Sequence, residues 1–329
     1  MTPRRPIGLD RRAAMAALGA LALPGAALAQ DRFPSRPIQL LVPFGPGGIA
    51  DLTARAVAEV MSQRLGQPVV VENRPSAGSI VASQAVATAR PDGHTLLLMS
   101  NGNAVSVGLI RKLPYDTQKA FAPISTLGYF DLGLFVPAGS RFANLQDLVG
   151  FARANPGKLN VGTIAVGSTQ HLAAKLFETV AGVDALVVPY KASPAVLTAL
   201  RAGEIDLAFE IVGPMLPQVQ AGAVRALAVS SDRRNPALPD TPTVQQSGVP
   251  GYNVASWNAL AAPAGTPADV ITTLNRAVRD AVASPLVQDK LGKLGMRLGA
   301  GTPAELDALL GSEIRRWGDV IRAAKIEPE

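Results

Sequence analysis

Residues 42–51, Val-Pro-Phe-Gly-Pro-Gly-Gly-Ile-Ala-Asp, put a strand end, a glycine-rich loop and a helix start within one short stretch. The chemistry open to such a stretch is anion binding. The first N–H groups of a helix have no intrahelical acceptor, and they sit at the positive end of the helix dipole. Gly45-Pro46-Gly47-Gly48-Ile49-Ala50 also fits the G-x-G-x-x-G/A pattern of dinucleotide-binding folds. Glu72, about 20 residues further on, stands where a ribose-binding acid belongs. Pro43 and Phe44 delay the first glycine, and Pro46 removes an N–H donor, which weakens that fingerprint. The anion is therefore a cofactor's pyrophosphate or something smaller.

Other reactive chemistry is sparse. The chain has no cysteine, so it has neither thiolate nucleophiles nor cysteine-ligated zinc. It has two histidines. His94 follows a Pro-Asp-Gly turn at a strand start and reads as structural. His171 lies in the first turn of a helix, within reach of a ligand or packed at the helix end. Neither a nucleophile elbow nor a P-loop is present. No catalysis and no cofactor are expected.

The elements that must hold the loop alternate. Residues 38–44 read as a buried strand, 50–65 as a helix with Leu52, Ala56, Val57, Val60 and Met61 on one face, and 69–71 as a second strand. A helix over 79–90 and a strand over 95–99 complete two strand–helix–strand crossovers, which imply a parallel sheet. Residues 121–139 form one long extended run, read as a strand that leaves a first sheet and enters a second. After it the rhythm restarts: helices at 144–154, 169–180, 194–201 and 215–221 alternate with strands at 159–163, 186–190, 205–210 and 224–230. Residues 232–250 are proline-rich and irregular. A strand at 254–262 and helices at 267–283, 285–294 and 303–325 follow. Leu306, Leu310, Ile314, Trp317 and Ile321 make an apolar stripe on the last helix.

The two halves echo each other. Residues 159–177 (LNVGTIAVGSTQHLAAKLF) repeat the strand, glycine-bearing loop and helix of residues 38–57, with Gly162, Gly167 and Ser168 in the places of Gly45, Gly47 and Gly48. Two such loops facing across a cleft would grip one small anion from both sides.

The N-terminus reads as an export signal. Arg4, Arg5, Arg11 and Arg12 precede a short apolar run at 13–23, and Ala27-Leu28-Ala29 is a cleavage site. Asp10-Arg11-Arg12 loosely fits a twin-arginine signal, leaving Tat and Sec export both open. Removal near Ala29 lowers the net charge from +6 to +3. That balance suits small anions and is too weak for a nucleic-acid partner.

Taken together, "FPSRPIQLLVPFGPGGIAD", "VVVENRPSAGS", "ARPDGHTLLL", "GSTQHLAAKLF", "VPYKASPAVLTALRAGEIDLAFE" and "APAGTP" resemble the Bug/TctC family, the extracytoplasmic solute receptors of tripartite tricarboxylate transporters. The resemblance runs from about residue 33 to the end of the chain. It implies an α/β, two-domain periplasmic-binding-protein fold of type II-like form with a ligand cleft between domains. Domain 1 would comprise 30–131 and 252–329, and domain 2 would comprise 132–251. It implies a monomer that binds a small carboxylate in the periplasm, with the membrane subunits of a tripartite carrier, or a sensor kinase ectodomain, as partners.

Carried over by position, the ligand residues are Phe44, Gly47, Gly48, Ile49, Ala50 and Asp51 in the first loop, and Thr163, Gly167, Ser168, Thr169 and Gln170 in the second. Tyr190 and Glu210 complete the set. Asp51 either meets a ligand amino group or caps the helix. Glu210 meets a ligand donor or a solvent network. Tyr190 and Trp257 line the far wall or pack in the core. The chain departs from the family pattern at Gly45-Pro46, Ala50, Gly78-Ser79-Ile80, Ala192 and Glu210. The competing function is an exported NAD(P)-dependent oxidoreductase using the 45–50 loop.

Overall fold

The computed structural model describes residues 2, 33–323 and 326–328. The export signal and its cleavage site fall on residues 1–29, outside the described residues apart from Thr2. The elements are β1 (Ile38–Val42), α1 (Ile49–Leu65), β2 (Val69–Asn73), a 3₁₀ turn (Ala77–Ser79) running into α2 (Ile80–Ala87), β3 (Thr95–Ser100), α3 (Asn101–Leu109) and β4 (Phe121–Pro137). There follow α4 (Leu145–Ala154), β5 (Leu159–Ile164), α5 (Thr169–Ala181), β6 (Ala185–Tyr190), α6 (Ser193–Ala202), β7 (Leu207–Ile211), α7 (Val212–Gln220) and β8 (Val224–Val229). The chain closes with β9 (Ala255–Pro263), α8 (Ala268–Ala283), α9 (Pro285–Gly292), β10 (Arg297–Leu298) and α10 (Pro303–Ala323).

The strands form a continuous array in the order β2-β1-β3-β9-β4-β7-β5-β6, with β8 and β10 also paired to β4. β1, β2 and β3 are parallel, and so are β5, β6 and β7. The long strand β4 is antiparallel to its partners and changes them part-way. Phe121–Asp131 pairs with β9, whereas Leu132–Pro137 runs between β7 and β8. One strand thus passes from one sheet to the other, as its unbroken extended pattern predicts.

Helices cover both sheets, so the inner strands are buried on both faces and read as apolar runs, while the edge strands β2 and β6 keep Val70 and Leu186 exposed. Leu40, Leu41, Leu96, Leu97, Leu98, Leu132 and Leu134 are fully or almost fully buried. The terminal helix α10 packs on α3 and β4, burying Leu306, Leu310, Trp317 and Ile321, while Ile314 is partly buried at its edge.

Two elements differ from expectation. Helix α3 has no counterpart in the sequence reading, which assigns nothing between residues 99 and 121. Ser100 Oγ accepts from the Gly102 N–H at 3.2 Å, and Asn103 Oδ1 accepts from the Ser100 N–H at 2.9 Å, a reciprocal capping box. The two-residue strand β10 is too short to carry a period.

Candidate ligand cleft

Parallel α/β sheets bind ligands beyond the carboxyl ends of their strands. Here those ends converge. β1, β3, β5, β6 and β7 each lead into a helix, directly or through a short loop, and one cleft is lined by the first residue of α1, α5 and α6 and by the N-cap residues Ser100 of α3 and Ile211 of α7. The cleft holds about 660 Å³ including its open mouth. Five helix N-termini aim positive dipole ends at it. Three of them, those of α1, α6 and α7, have no side-chain cap.

The first loop is braced from within. Gly47 has φ +83°, a left-handed conformation that favours glycine. Gly48 then serves as an extended N-cap without a side chain. Asp51 turns back into the loop: its Oδ2 accepts from the Gly47 N–H at 3.0 Å, and its Oδ1 accepts from Arg55 Nε at 2.9 Å. Arg55 also reaches Asn73 Oδ1 at 3.0 Å, and Asn73 Nδ2 donates to the Phe44 carbonyl at 2.9 Å. Burial alone would raise the Asp51 pKa, but Arg55, Gly47 and Asn73 hold its carboxyl below the usual carboxylate range. Asp51 thus braces the loop from the first turn of α1, whose N-cap is Gly48. The Gly47 N–H is spent on that brace. Gly48, Ile49 and Ala50, whose N–H groups open the helix without an intrahelical acceptor, line the cleft together with Phe44.

The second loop has the same backbone and different side chains. Gly167 has φ +80°, and Ser168 is the N-cap of α5. Ser168 Oγ accepts from the His171 N–H and donates to the Ile164 carbonyl, each at 3.1 Å. The Ser168 N–H is bonded to the Ala165 carbonyl at 3.0 Å. Thr169 and Gln170 line the cleft, and Gly167 and the buried Ser168 do not. Thr169 Oγ1 lies 2.8 Å from Ser256 Oγ and accepts from Asn101 Nδ2 at 3.3 Å. Asn101 Oδ1 in turn accepts from Trp317 Nε1 at 2.7 Å. Side chains from β9, α3 and α10 thereby reach the start of α5.

The remaining expected residues sit off the cleft. Thr163 is fully buried in β5, and Tyr190 is partly buried at the end of β6. Trp257 is buried on the face of β9 opposite Ser256 and Asn258; the aromatic side chain at the cleft besides Phe44 is Phe130. Glu210 is fully buried beneath the wall. Its Oε2 accepts from the Ile211 N–H at 3.0 Å, Ser193 Oγ at 3.1 Å and Gln170 Nε2 at 3.4 Å, while Oε1 has no partner. Burial pushes its pKa up to about 7 against those donors. His171 is buried and held down to about 4, by burial first and by Lys175 second. His94 is tied to Asp92 and the Ser35 N–H at the opposite edge of the first sheet.

The sequence reading missed Ser76, Ser100, Lys191, Ser193, Ser256 and Asn258, all of which line the cleft. Lys191 is the one charged side chain among the described lining residues. The signal available was polarity out of place: Ser256 and Asn258 interrupt an otherwise apolar strand at alternate positions.

The dinucleotide reading gains no support. Glu72 is engaged by Arg74 Nε at 2.6 Å and by Gln39 Nε2 at 2.8 Å, and the loop's central glycine amide is committed to Asp51. Among the described residues no group of three or more His, Asp or Glu side chains is placed to hold a metal ion.

Residues 53–326 match the model of the tripartite tricarboxylate transporter family receptor, TctC. The chain belongs to this family. Among solved structures it is similar to Rpa4515 of R. palustris with adipate, at 35% identity and a TM-score of 0.86, over 90% of this chain and 100% of that one. It is similar to the periplasmic binding protein BugD at 30% identity and a TM-score of 0.86, with the same coverage. It is also similar to MatC (Rpa3494) from Rhodopseudomonas palustris with bound malate, at 33% identity and a TM-score of 0.83, over 88% of this chain and 100% of that one. The fold is that of periplasmic binding proteins, and two of these similar structures, Rpa4515 and MatC, hold the carboxylates adipate and malate.

Proposed function

We propose that this chain is a periplasmic receptor without catalytic activity that captures a small carboxylate and delivers it to the membrane subunits of a tripartite carrier. The reading rests chiefly on five helix N-termini around one cleft that has a lysine and no acidic side chain among its described lining residues. It assigns residues 1–29 to export, and it divides the mature chain into lobes 30–131 with 252–329, and 132–251. Ile49, Ala50, Thr169 and Gln170 supply backbone donors, with Gly48 allowing close approach and Phe44 forming an apolar wall. Adipate and malate in the two similar R. palustris proteins support the ligand class.

A thermal-shift screen of mono-, di- and tricarboxylates tests it. A ligand at a hundred times its Kd stabilises the folded state by about 2.7 kcal/mol, a readable shift. Ile49→Pro removes one first-turn N–H at a position that tolerates proline, since Gly48 is already extended (φ −83°, ψ 170°). That variant should fold and lose most of the shift. A nucleotide that moves the melting point where no carboxylate does would overturn the reading.

A further inference from the structure

Asn258 is 1% exposed and lines the cleft, yet neither Oδ1 nor Nδ2 has a hydrogen-bond partner. Buried carboxamides are ordinarily bonded at both atoms. Asn258 lies in β9 opposite Ser100 of β3 and Gly128 of β4. Ser256, two residues earlier, shares its face of the strand and also lines the cleft. The Ser256 hydroxyl is already engaged with Thr169. Ser100 Oγ accepts from the Gly102 N–H, which leaves its O–H as a donor. The floor of the cleft is thus neutral and offers one unused acceptor, Asn258 Oδ1, beside unused donors. The charged Lys191 belongs to the β6–α6 turn.

We propose that Asn258 reads the far end of the ligand, and that this end is uncharged and carries both a donor and an acceptor: a hydroxyl or a carboxamide. The inference rests on the carboxylate reading above. It narrows the class from small carboxylates to hydroxy or amide monocarboxylates. The chemistry is one of matching. An ionised second carboxylate can take the Nδ2 hydrogens, but it has no hydrogen for Oδ1 and sets like partial charges together. A methyl end leaves both atoms of Asn258 unpaired. A hydroxyl or carboxamide satisfies both.

The test is calorimetric titration of the purified protein with a four-carbon series: butyrate, 2-hydroxybutyrate, 4-hydroxybutyrate, succinamate and succinate. Either 4-hydroxybutyrate or succinamate should bind about tenfold or more tighter than butyrate, succinate and 2-hydroxybutyrate, whose hydroxyl lies beside its carboxylate and whose far end is a methyl. Asn258→Leu, close in volume and free of polar atoms, should erase that preference, bringing 4-hydroxybutyrate and succinamate to within about threefold of butyrate. If succinate or butyrate binds as tightly as the best neutral-ended acid, or if Asn258→Leu keeps the preference, Asn258 is bonded to solvent only and the inference is wrong. Binding of none of the five, with a shift produced only by a non-carboxylate, removes the carboxylate reading and this inference with it.

Discussion

The loops at 44–51 and 163–170 follow one backbone plan and use it differently. Each has a left-handed glycine, then an extended N-cap, then a helix whose first turn faces the cleft. In the first loop the N-cap is a glycine, and the residue three further on, Asp51, reaches back to hold the loop. In the second the N-cap is Ser168, which satisfies its own helix, and Thr169 reaches outward to Ser256 and Asn101. The first loop is a self-braced set of amide donors. The second is a donor set that also ties strand β9 and helices α3 and α10 to the start of α5. Equal spacing of glycines reports equal backbone; the side chains beside them decide what each loop does.

Removing the brace should have the largest effect. Asp51→Ala deletes a charge-assisted bond to the Gly47 N–H and the Arg55 pair, and it leaves the loop free to leave its left-handed turn. A hydrogen bond to a charged group contributes about 1.5–3 kcal/mol, so denaturation should show a loss of that order together with loss of ligand binding. Ser168→Ala removes only a neutral cap, and about 1 kcal/mol is expected. Equal losses at the two positions would break the contrast between the loops.

The two loops also rest on carboxyl groups in opposite states. Asp51 is held ionised: its lowered folded pKa gives stability present above the unfolded value near 3.8 and lost as pH falls through the folded value. Glu210, which supports Gln170, has its pKa raised from 4.5 to about 7. Its sign is reversed. The contribution is fully present below 4.5 and is lost as pH rises through 7. His171, lowered from 6.5 to about 4, contributes fully above 6.5 and loses that contribution as pH falls through 4. Between about 4.5 and 6.5 the Glu210 and His171 slopes oppose each other. Glu210→Gln keeps an acceptor for the Ile211 N–H and removes the charge. It should be more stable than the parent at pH 8 by about 2 kcal/mol and should lose stability steadily below pH 6.5. Urea denaturation from pH 4.5 to 8 measures both. A parent and variant with parallel pH profiles would mean that Glu210 is not the group responsible.

Much of this arrangement is legible in the sequence. Apolar strand runs between amphipathic segments give the parallel sheets, and residues 121–139 carry the crossing strand because no helical period interrupts them. The shared spacing around Gly47 and Gly167 announces the shared turn. What stays hidden depends on contacts remote in the chain. Asn101 joins Trp317 to Thr169 across separations that no local pattern encodes. Helix α3 hides because its cap residues, Ser100 and Asn103, are also good turn residues. Asn258 hides because one polar residue in a strand reads as an edge or a defect until the cleft beside it is known.

The smallest expected effect concerns the outward reach of Thr169. Thr169→Val keeps the shape of the side chain and removes Oγ1, leaving Ser256 Oγ and Asn101 Nδ2 without that partner. The backbone N–H of residue 169 remains, so the anion still meets the same donors. What is lost is the tie that favours the arrangement with the loops apposed, in which Gly78 N–H reaches the Val166 carbonyl at 3.5 Å. A ligand that needs this arrangement then binds more weakly by the fraction of molecules that leave it, about three- to tenfold. Small-angle scattering should show a larger radius of gyration for the unliganded variant than for the parent, and the two should agree once ligand saturates both. A variant with parental affinity and parental scattering would mean that the second loop, like the first, serves the ligand through its backbone alone.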